Sequence, residues 1–299
     1  MSSVLYDAQG ARAKRRNVLY TAVFVVVAAA VLWWVISTLA DKDQLAWAKW
    51  SPFVHTEAWT TYIWPGLQNT LKAAALAMVI ALPLGAVLGI ARLSDHAWIR
   101  VPASVLVEFF RAIPVLVLMI FGNALYAQYT DVSADDRPLF AVVTGLVLYN
   151  ASVLAEVVRA GILALPKGQS EAAMAIGLRK NQVMRLILLP QAVTVMLPAI
   201  VSQLVVIVKD TALGGAVLTF PELLASANTM SSYYGANTIA SFTVVALIFI
   251  VINFSLTSFA GWLEGRLRRR KKSTGAVVGA DAVAELAAPG DHDEQVHGH

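Results

Sequence analysis

The sequence predicts an all-α, polytopic membrane protein with six transmembrane helices, and three observations carry that reading. Of its 299 residues 58% are hydrophobic and only 14% are charged. Mean hydropathy is +0.65, well beyond a soluble globular average. Six stretches, approximately 18–40, 66–91, 102–127, 139–164, 190–212 and 238–263, are each long enough for about 30 Å of hydrocarbon, which takes roughly 20 apolar residues. Basic residues gather just outside those stretches.

Residues 1–17 form a basic tail in which Arg12, Lys14, Arg15 and Arg16 precede the apolar run from Val18 to Ile36. That arrangement imitates a secretory leader. The run is long, however, and Asp41-Lys42-Asp43 follows without a small-residue cleavage site, so 18–40 is read as a retained anchor. The loop 41–65 carries Trp47, Trp50, Trp59 and Trp64 as interfacial anchors, and the acidic DVSADDR loop follows the third span. From Gly214 to Tyr234 the chain is too broken for a span, with Pro221, Gly235 and a Ser/Asn-rich run, and reads as a re-entrant or interfacial helix. The tail 266–299 opens with RLRRRKK and then turns Ala-, Gly- and acid-rich, the composition of a disordered segment. His292, His297 and His299 could bind a metal there, but a flexible tail is the plainer reading.

Orientation follows from the Lys and Arg distribution. The N-terminal tail, the turn holding Arg92 and Arg100, the 166–189 segment and the RLRRRKK tail fall on one side when six spans are counted. Both termini are therefore expected in the cytoplasm, with 41–65 extracytoplasmic. The net charge of +4 belongs to this pattern and not to nucleic-acid binding. Cysteine is absent, which excludes a disulfide framework, a thiol nucleophile and Cys-ligated metal. No G-x-x-x-x-G-K-[ST] phosphate loop occurs, nor H-E-x-x-H, G-x-S-x-G or GxGxxG. The chain is read as no enzyme, with no cofactor and no metal of its own. No internal repeat of the kind that builds single-chain secondary transporters is visible.

Residues 171–190, EAAMAIGLRKNQVMRLILLP, sit between two apolar spans. Ala172, Ala173, Ala175 and Ile176 make a small, smooth helical face, and Gly177 permits a bend that a long helix resists. Arg179, Lys180 and Arg185 keep the other side wet, while Glu171 could cap the helix or pair with a basic group. Such an element suits helix-in-groove recognition, against the plain alternative of an ordinary surface helix. The spacing is Glu171-Ala172-Ala173, three residues, Gly177, nine residues, then Ile187, one residue and Leu189-Pro190. It resembles the EAA signature of ABC importer permeases.

Further segments extend the resemblance to polar amino-acid importer permeases, of the histidine/glutamine/glutamate type, over residues 60 to 265. WPGLQNTLKAA from Trp64 resembles the opening of their core. EFFRAIPVLVLMIF from Glu108 resembles their F-R-G-T-P-L-L-V block, with Ala112 and Ile113 in place of Gly and Thr. AEVVRAGILALPKGQSEAA follows their A-E-x-x-R-x-G-I run, and LPQAVTVMLPAIVSQLVVIVKDTALG their L-P-Q-A to K-D-T-S-L stretch, with Ser202 and Ala212 at the Asn and Ser positions. The resemblance implies a five-helix permease core over 66–265, to which 18–40 is an added helix. It implies that 166–189 is a cytoplasmic coupling segment docking on a separate ATPase dimer, which would hold ATP and Mg. A second permease subunit, an extracytoplasmic amino-acid-binding protein and a bacterial plasma membrane are implied too. The added span and tail fit a glutamate-type member and favour a heterodimer.

Several polar residues are costly in a bilayer and are candidates for the pathway. Glu156 lies within the fourth span, where a carboxylate demands a partner or a wet cavity. It could pair with Arg159 one turn on, or line the cavity and meet an amino acid's ammonium group. Arg111 stands beside Ile113-Pro114, where the proline frees a carbonyl and could make either a hinge or a packing kink. Gln203 can both donate and accept, which suits a zwitterion. Lys209 adds positive charge, unless Asp210 neutralises it. Gly85 and Gly89 form a small-xxx-small pair suited to close helix packing. Against the importer stand an ion-driven carrier or channel working through Glu156 without an ATPase, and a membrane scaffold without transport.

Overall fold

A computed structural model of the chain describes residues 10–272. The disordered tail and metal readings, with His292, His297 and His299, lie outside the described residues, as does most of the basic tail 1–17. Among the described residues all regular structure is helical. Helix α1 (Ala11–Asp41) is followed by α2 (Trp47–Trp50), a 3-10 turn, α3 (Thr56–Ala58), a π-type turn over Trp59–Ile63 and α4 (Trp64–Ala91). The expected loop 41–65 is thus largely helical, and the second span is an apolar run over Thr56–Ala91. The wider turn just ahead of Pro65 accommodates the ring and missing N–H that would otherwise break the helix.

The third expected span, 102–127, differs more. It is two helices, α5 (Ala97–Ala112) and α6 (Val115–Tyr129), set at 99°. Proline disfavours the helical region for the residue before it, and Ile113 is extended at φ −89°, ψ 129°. Among the described residues five helices are long and apolar enough to cross a membrane, or six if this bent pair counts as one span. The fourth span is α7 (Arg137–Leu163), followed by α8 (Lys167–Ala175), α9 (Lys180–Val183) and a π-type turn leading into α10 (Leu189–Leu218). That fifth span runs past 212 and ends at Thr219, whose φ of 56° is left-handed. The broken stretch beyond it holds α11 (Leu223–Tyr233), and α12 (Thr238–Lys272) is the last span. Glu222 is fully buried and caps α11, accepting from the N–H of Leu224 at 2.7 Å and of Ala225 at 2.6 Å.

The chain divides into two compact units. In the first, which holds residues up to Asn69 with Pro221–Leu247, the segment after α1 is tied to the turn before α12. Gln44 Nε2 donates to the Ala236 carbonyl at 3.1 Å, Asn237 Nδ2 donates to the Lys49 carbonyl at 3.2 Å, and Lys49 Nζ donates to the Gly235 carbonyl. Tyr62, Tyr233 and Tyr234 pack ring against ring.

The second unit, Thr70–Phe220 with residues from Ile248, is organised around α7, which packs on α5, α6 and α10. Met119, Val142, Leu146, Ile207 and Val208 form the dry centre. Helix α4 reaches α7 through two of its glycines, Gly85 and Gly89. A Cβ at Gly85 would stand 2.7 Å from Leu154 Cβ and 2.8 Å from the Ala151 carbonyl, and one at Gly89 only 2.6 Å from the Ala155 carbonyl. Because carbonyls cannot give way, this backbone approach requires glycine.

Gly85→Val or Gly89→Val is expected to separate α4 from α7 and cost roughly 1–3 kcal/mol, as overpacking does. Gly122→Ala, whose Cβ would find nothing closer than 3.7 Å, should leave stability unchanged. Thermal unfolding of the detergent-solubilised protein distinguishes them.

Candidate functional site

The close approach of α4 to α7 sets Arg92, at the end of α4, beside Glu156 on α7. Arg92 Nη1 donates to Glu156 Oε2 at 2.6 Å and Arg92 Nη2 to Glu108 Oε1 on α5 at 2.9 Å. Arg159 Nη1 donates to the other oxygen of Glu156, Oε1, at 3.1 Å. Arg111 stands 3.8 Å from Glu156 and 3.9 Å from Glu108, too far for a hydrogen bond to either. Three guanidiniums thus meet two carboxylates, leaving one positive charge in excess. Only 9% of the Arg92 side chain is exposed, against 39% for Arg111. Arg92 is the internal tie of the cluster; Arg159 is as accessible as Arg111, at 37%, but is bonded to Glu156, so Arg111 is the accessible cation without a hydrogen-bonded carboxylate.

A cavity of 600 Å³ opens on this cluster, lined by Glu108, Arg111, Tyr149, Glu156, Val157 and Ala160 among others. The helix break at Ile113-Pro114 leaves Arg111 on the last turn of α5, at the cavity edge. Both sequence alternatives for Glu156 meet here: it is paired with Arg159, and it lines a cavity. Any ammonium group reaching it would compete with guanidiniums already in place.

The remaining pathway candidates lie elsewhere. Gln203 is half-buried on α10, where its Nε2 donates to Oδ1 of Asn150, and fully buried Asn150 donates in turn to the Leu146 carbonyl at 2.7 Å. This amide pair pins α10 to α7. Lys209 is exposed on α10. Asn150, Arg92 and Glu108 were not singled out from sequence, although two of them carry signals. Arg92 ends an apolar span, and Glu108 lies one turn before Arg111 on the same helix face.

The segment 166–189, expected to couple to an ATPase, folds as a helix, a reversal and a short second helix. Gly177, at φ 90°, takes the left-handed conformation that ends α8. Leu178 N–H donates to the Ala173 carbonyl at 3.1 Å and Gly177 N–H to the Met174 carbonyl at 3.0 Å, the paired bonds of a Schellman cap. Gly177 is therefore a helix terminator, a more definite role than a permitted bend. Ala173 is buried, whereas Glu171, Ala172, Gly177, Arg179 and Pro190 are exposed, with Ile176 at 80%. The outward face is thus small and apolar around a charged rim. On the other side, Lys180 donates to Asp95 in the turn after α4. That bond and the positive charge of Lys180 hold the Asp95 carboxyl below its ordinary range.

Residues 81–269 match the family described as the binding-protein-dependent transport system inner membrane component. The chain is 47% identical over 242 residues to a glutamate transport system permease protein of Corynebacterium glutamicum, covering 80% of this chain and 88% of that one. It is 30% identical to a probable glutamine ABC transporter permease protein of Bacillus subtilis, over 69% of this chain and 93% of the relative. Among solved structures, the crystal structure of an amino acid ABC transporter with histidines superposes with a TM-score of 0.62 at 29% identity, over 68% of this chain and 93% of the other.

Arg92→Ala removes charge-assisted hydrogen bonds to Glu156, which keeps Arg159, and to Glu108, whose side chain is 61% exposed, and is expected to destabilise the protein by roughly 2 kcal/mol. Arg159→Ala, at a side chain 37% exposed, should cost under about 1 kcal/mol. Equal losses in thermal unfolding would remove Arg92 from its central place.

Because the Asp95 carboxyl is depressed, its bond to Lys180 contributes fully above the ordinary carboxylate pKa and is lost as pH falls through the lowered value. Amide exchange in 177–184, corrected for the intrinsic rate, should be unchanged from pH 8 to 5 and rise below about pH 4. Asp95→Asn should abolish that dependence.

Proposed function

Because the chain belongs to the family of binding-protein-dependent transport system inner membrane components, we propose that it is the permease of a glutamate-type, ATP-driven amino-acid importer. It is a multi-pass membrane protein and a transport subunit, not an enzyme. The observation that carries the substrate reading is Arg111 at the edge of the cavity, the one guanidinium of the cluster that lines it and that makes no hydrogen bond to a carboxylate. An acidic amino acid brings one more carboxylate than ammonium, and Arg111 is the group placed to receive it. The similarity to a glutamate permease supports the same substrate class. Glu156, with Arg159, would set the position of the cation cluster, and Gln203 and Lys209 would lie along the route on α10.

Energy would come from a separate ATPase dimer holding ATP and Mg, docked on the exposed face of 166–189 in the cytoplasm, with both termini on that side. A related second permease and an extracytoplasmic binding protein would complete the complex. Closure of the ATPase pair would draw the coupling segments together, and α7 and α10, joined through that segment, would change the opening of the cavity. Such switching requires contacts that differ between the two states, and the docking joint is where ATP supplies them.

Reconstituted with its ATPase and binding protein, the chain should take up glutamate only with ATP. Glu156→Gln and Arg111→Gln should each lower uptake at least about ten-fold, a loss of about 1.4 kcal/mol, with the ATPase still bound. Gly177→Asp should lose the ATPase on co-purification. Uptake driven by a proton gradient without ATP would instead establish the carrier reading.

A further inference from the structure

A second cavity, of 710 Å³, opens where the turn after α4 meets the start of α5 and α9. Its walls are of two kinds. Val87, Ile90, Ile99 and Met184 form an apolar side, and His96, Arg179 and Lys180 with Asp95 form a polar one. Trp98, 75% exposed, stands beside it with its ring 6.1 Å from that of His96. An exposed tryptophan next to basic groups at the end of an apolar helix marks the depth of lipid headgroups.

Arg179 and Lys180 face a single carboxylate, Asp95, so positive charge is in excess. The Lys180–Asp95 pair is solvent-accessible on both sides, with 51% and 70% of the side chains exposed. Such a pair is readily exchanged for a stronger anion. A soluble anion would use the polar wall alone. The apolar wall continues instead onto Val87, 65% exposed on the flank of a membrane-spanning helix.

We infer that this cavity binds an anionic phospholipid from the cytoplasmic leaflet. Arg179 and Lys180 hold the headgroup phosphate, and Val87, Ile90 and Met184 take the first methylenes of an acyl chain. The lipid replaces Asp95 at Lys180 and ties the turn after α4 to the segment expected to dock the ATPase. The site follows from the membrane depth and charge of the cavity, and stands whatever the chain transports.

The test is native mass spectrometry of the full chain in detergent with equimolar phosphatidylglycerol and phosphatidylcholine. Wild type should retain phosphatidylglycerol at least about five-fold better, the preference that one basic side chain near a membrane surface supplies. Arg179→Gln with Lys180→Gln should bring the ratio close to one. Arg185→Gln, which removes an exposed cation outside the cavity, should leave it unchanged, and Asp95→Asn should raise it. Equal retention of the two lipids by wild type overturns the inference, as does loss of preference in Arg185→Gln. If glycerol 3-phosphate displaces the lipid at equal concentration, the cavity is a soluble-phosphate site and the lipid assignment falls. Should the double variant fail to fold, the absence of any rise in Asp95→Asn is itself decisive against it.

Discussion

The cost of a charge in hydrocarbon organises the second unit of this protein. Glu156 sits inside a helix that crosses the membrane, where an unpaired carboxylate is not tolerated. Arg159 on the same helix takes one of its oxygens, and the other is taken by Arg92, from outside α7. Arg92 reaches it only because Gly85 and Gly89 let α4 lie against the backbone of α7. The same guanidinium then fixes Glu108 and with it α5. One ion cluster therefore connects three helices, and the glycine contact is its precondition.

The amide pair Gln203–Asn150 plays the matching part between α7 and α10. Ser152 on α7 and Thr211 on α10 satisfy themselves on their own helix, at the Leu148 carbonyl at 2.9 Å and the Val208 carbonyl at 2.8 Å. Gln203 Nε2 and Asn150 Oδ1 instead meet between helices, while Asn150 Nδ2 donates to the Leu146 carbonyl of its own helix. The coupling segment joins these same two helices, and α9 runs into α10 through a π-type turn without an intervening loop. A displacement at the segment would pass into α10 along a continuous backbone, and from there to α7.

Much of this was legible in the sequence because bilayer thickness and helix pitch are strong constraints. The six apolar stretches, the reversal at Gly177 and the close packing at Gly85 and Gly89 all follow from residue type and spacing. The failures have local causes. The stretch 102–127 is apolar throughout, so hydropathy shows one span, whereas Ile113-Pro114 bends it by 99°. The start of the second span was set too late, since a π-type turn let the helix continue back through Pro65 to Thr56. At the site, Glu156, Arg159 and Arg111 stood out because charges within spans are conspicuous. Arg92 did not, because at the end of a span a basic residue reads as an orientation signal. Gln203 was read as facing a pathway, and its partnership with Asn150 depends on tertiary contact that no spacing encodes.

The distances within the cluster separate structure from function. Arg92 and Arg159 are hydrogen-bonded to carboxylate oxygens at 2.6 to 3.1 Å and gain both charge and geometry from them. Arg111 has only the long-range part, at 3.8 and 3.9 Å, and its five donors are free of both carboxylates. Withdrawing it from the cluster would leave Glu156 with two bonded partners and Glu108 with one. In the proposed importer a substrate carboxylate would take Arg111 at little cost to the helices around it, whereas taking Arg92 would leave Glu108 without a hydrogen-bonded cation and Glu156 with Arg159 alone. Selection of an anion by the proposed site would rest on the one cation of the cluster that holds no carboxylate by a hydrogen bond.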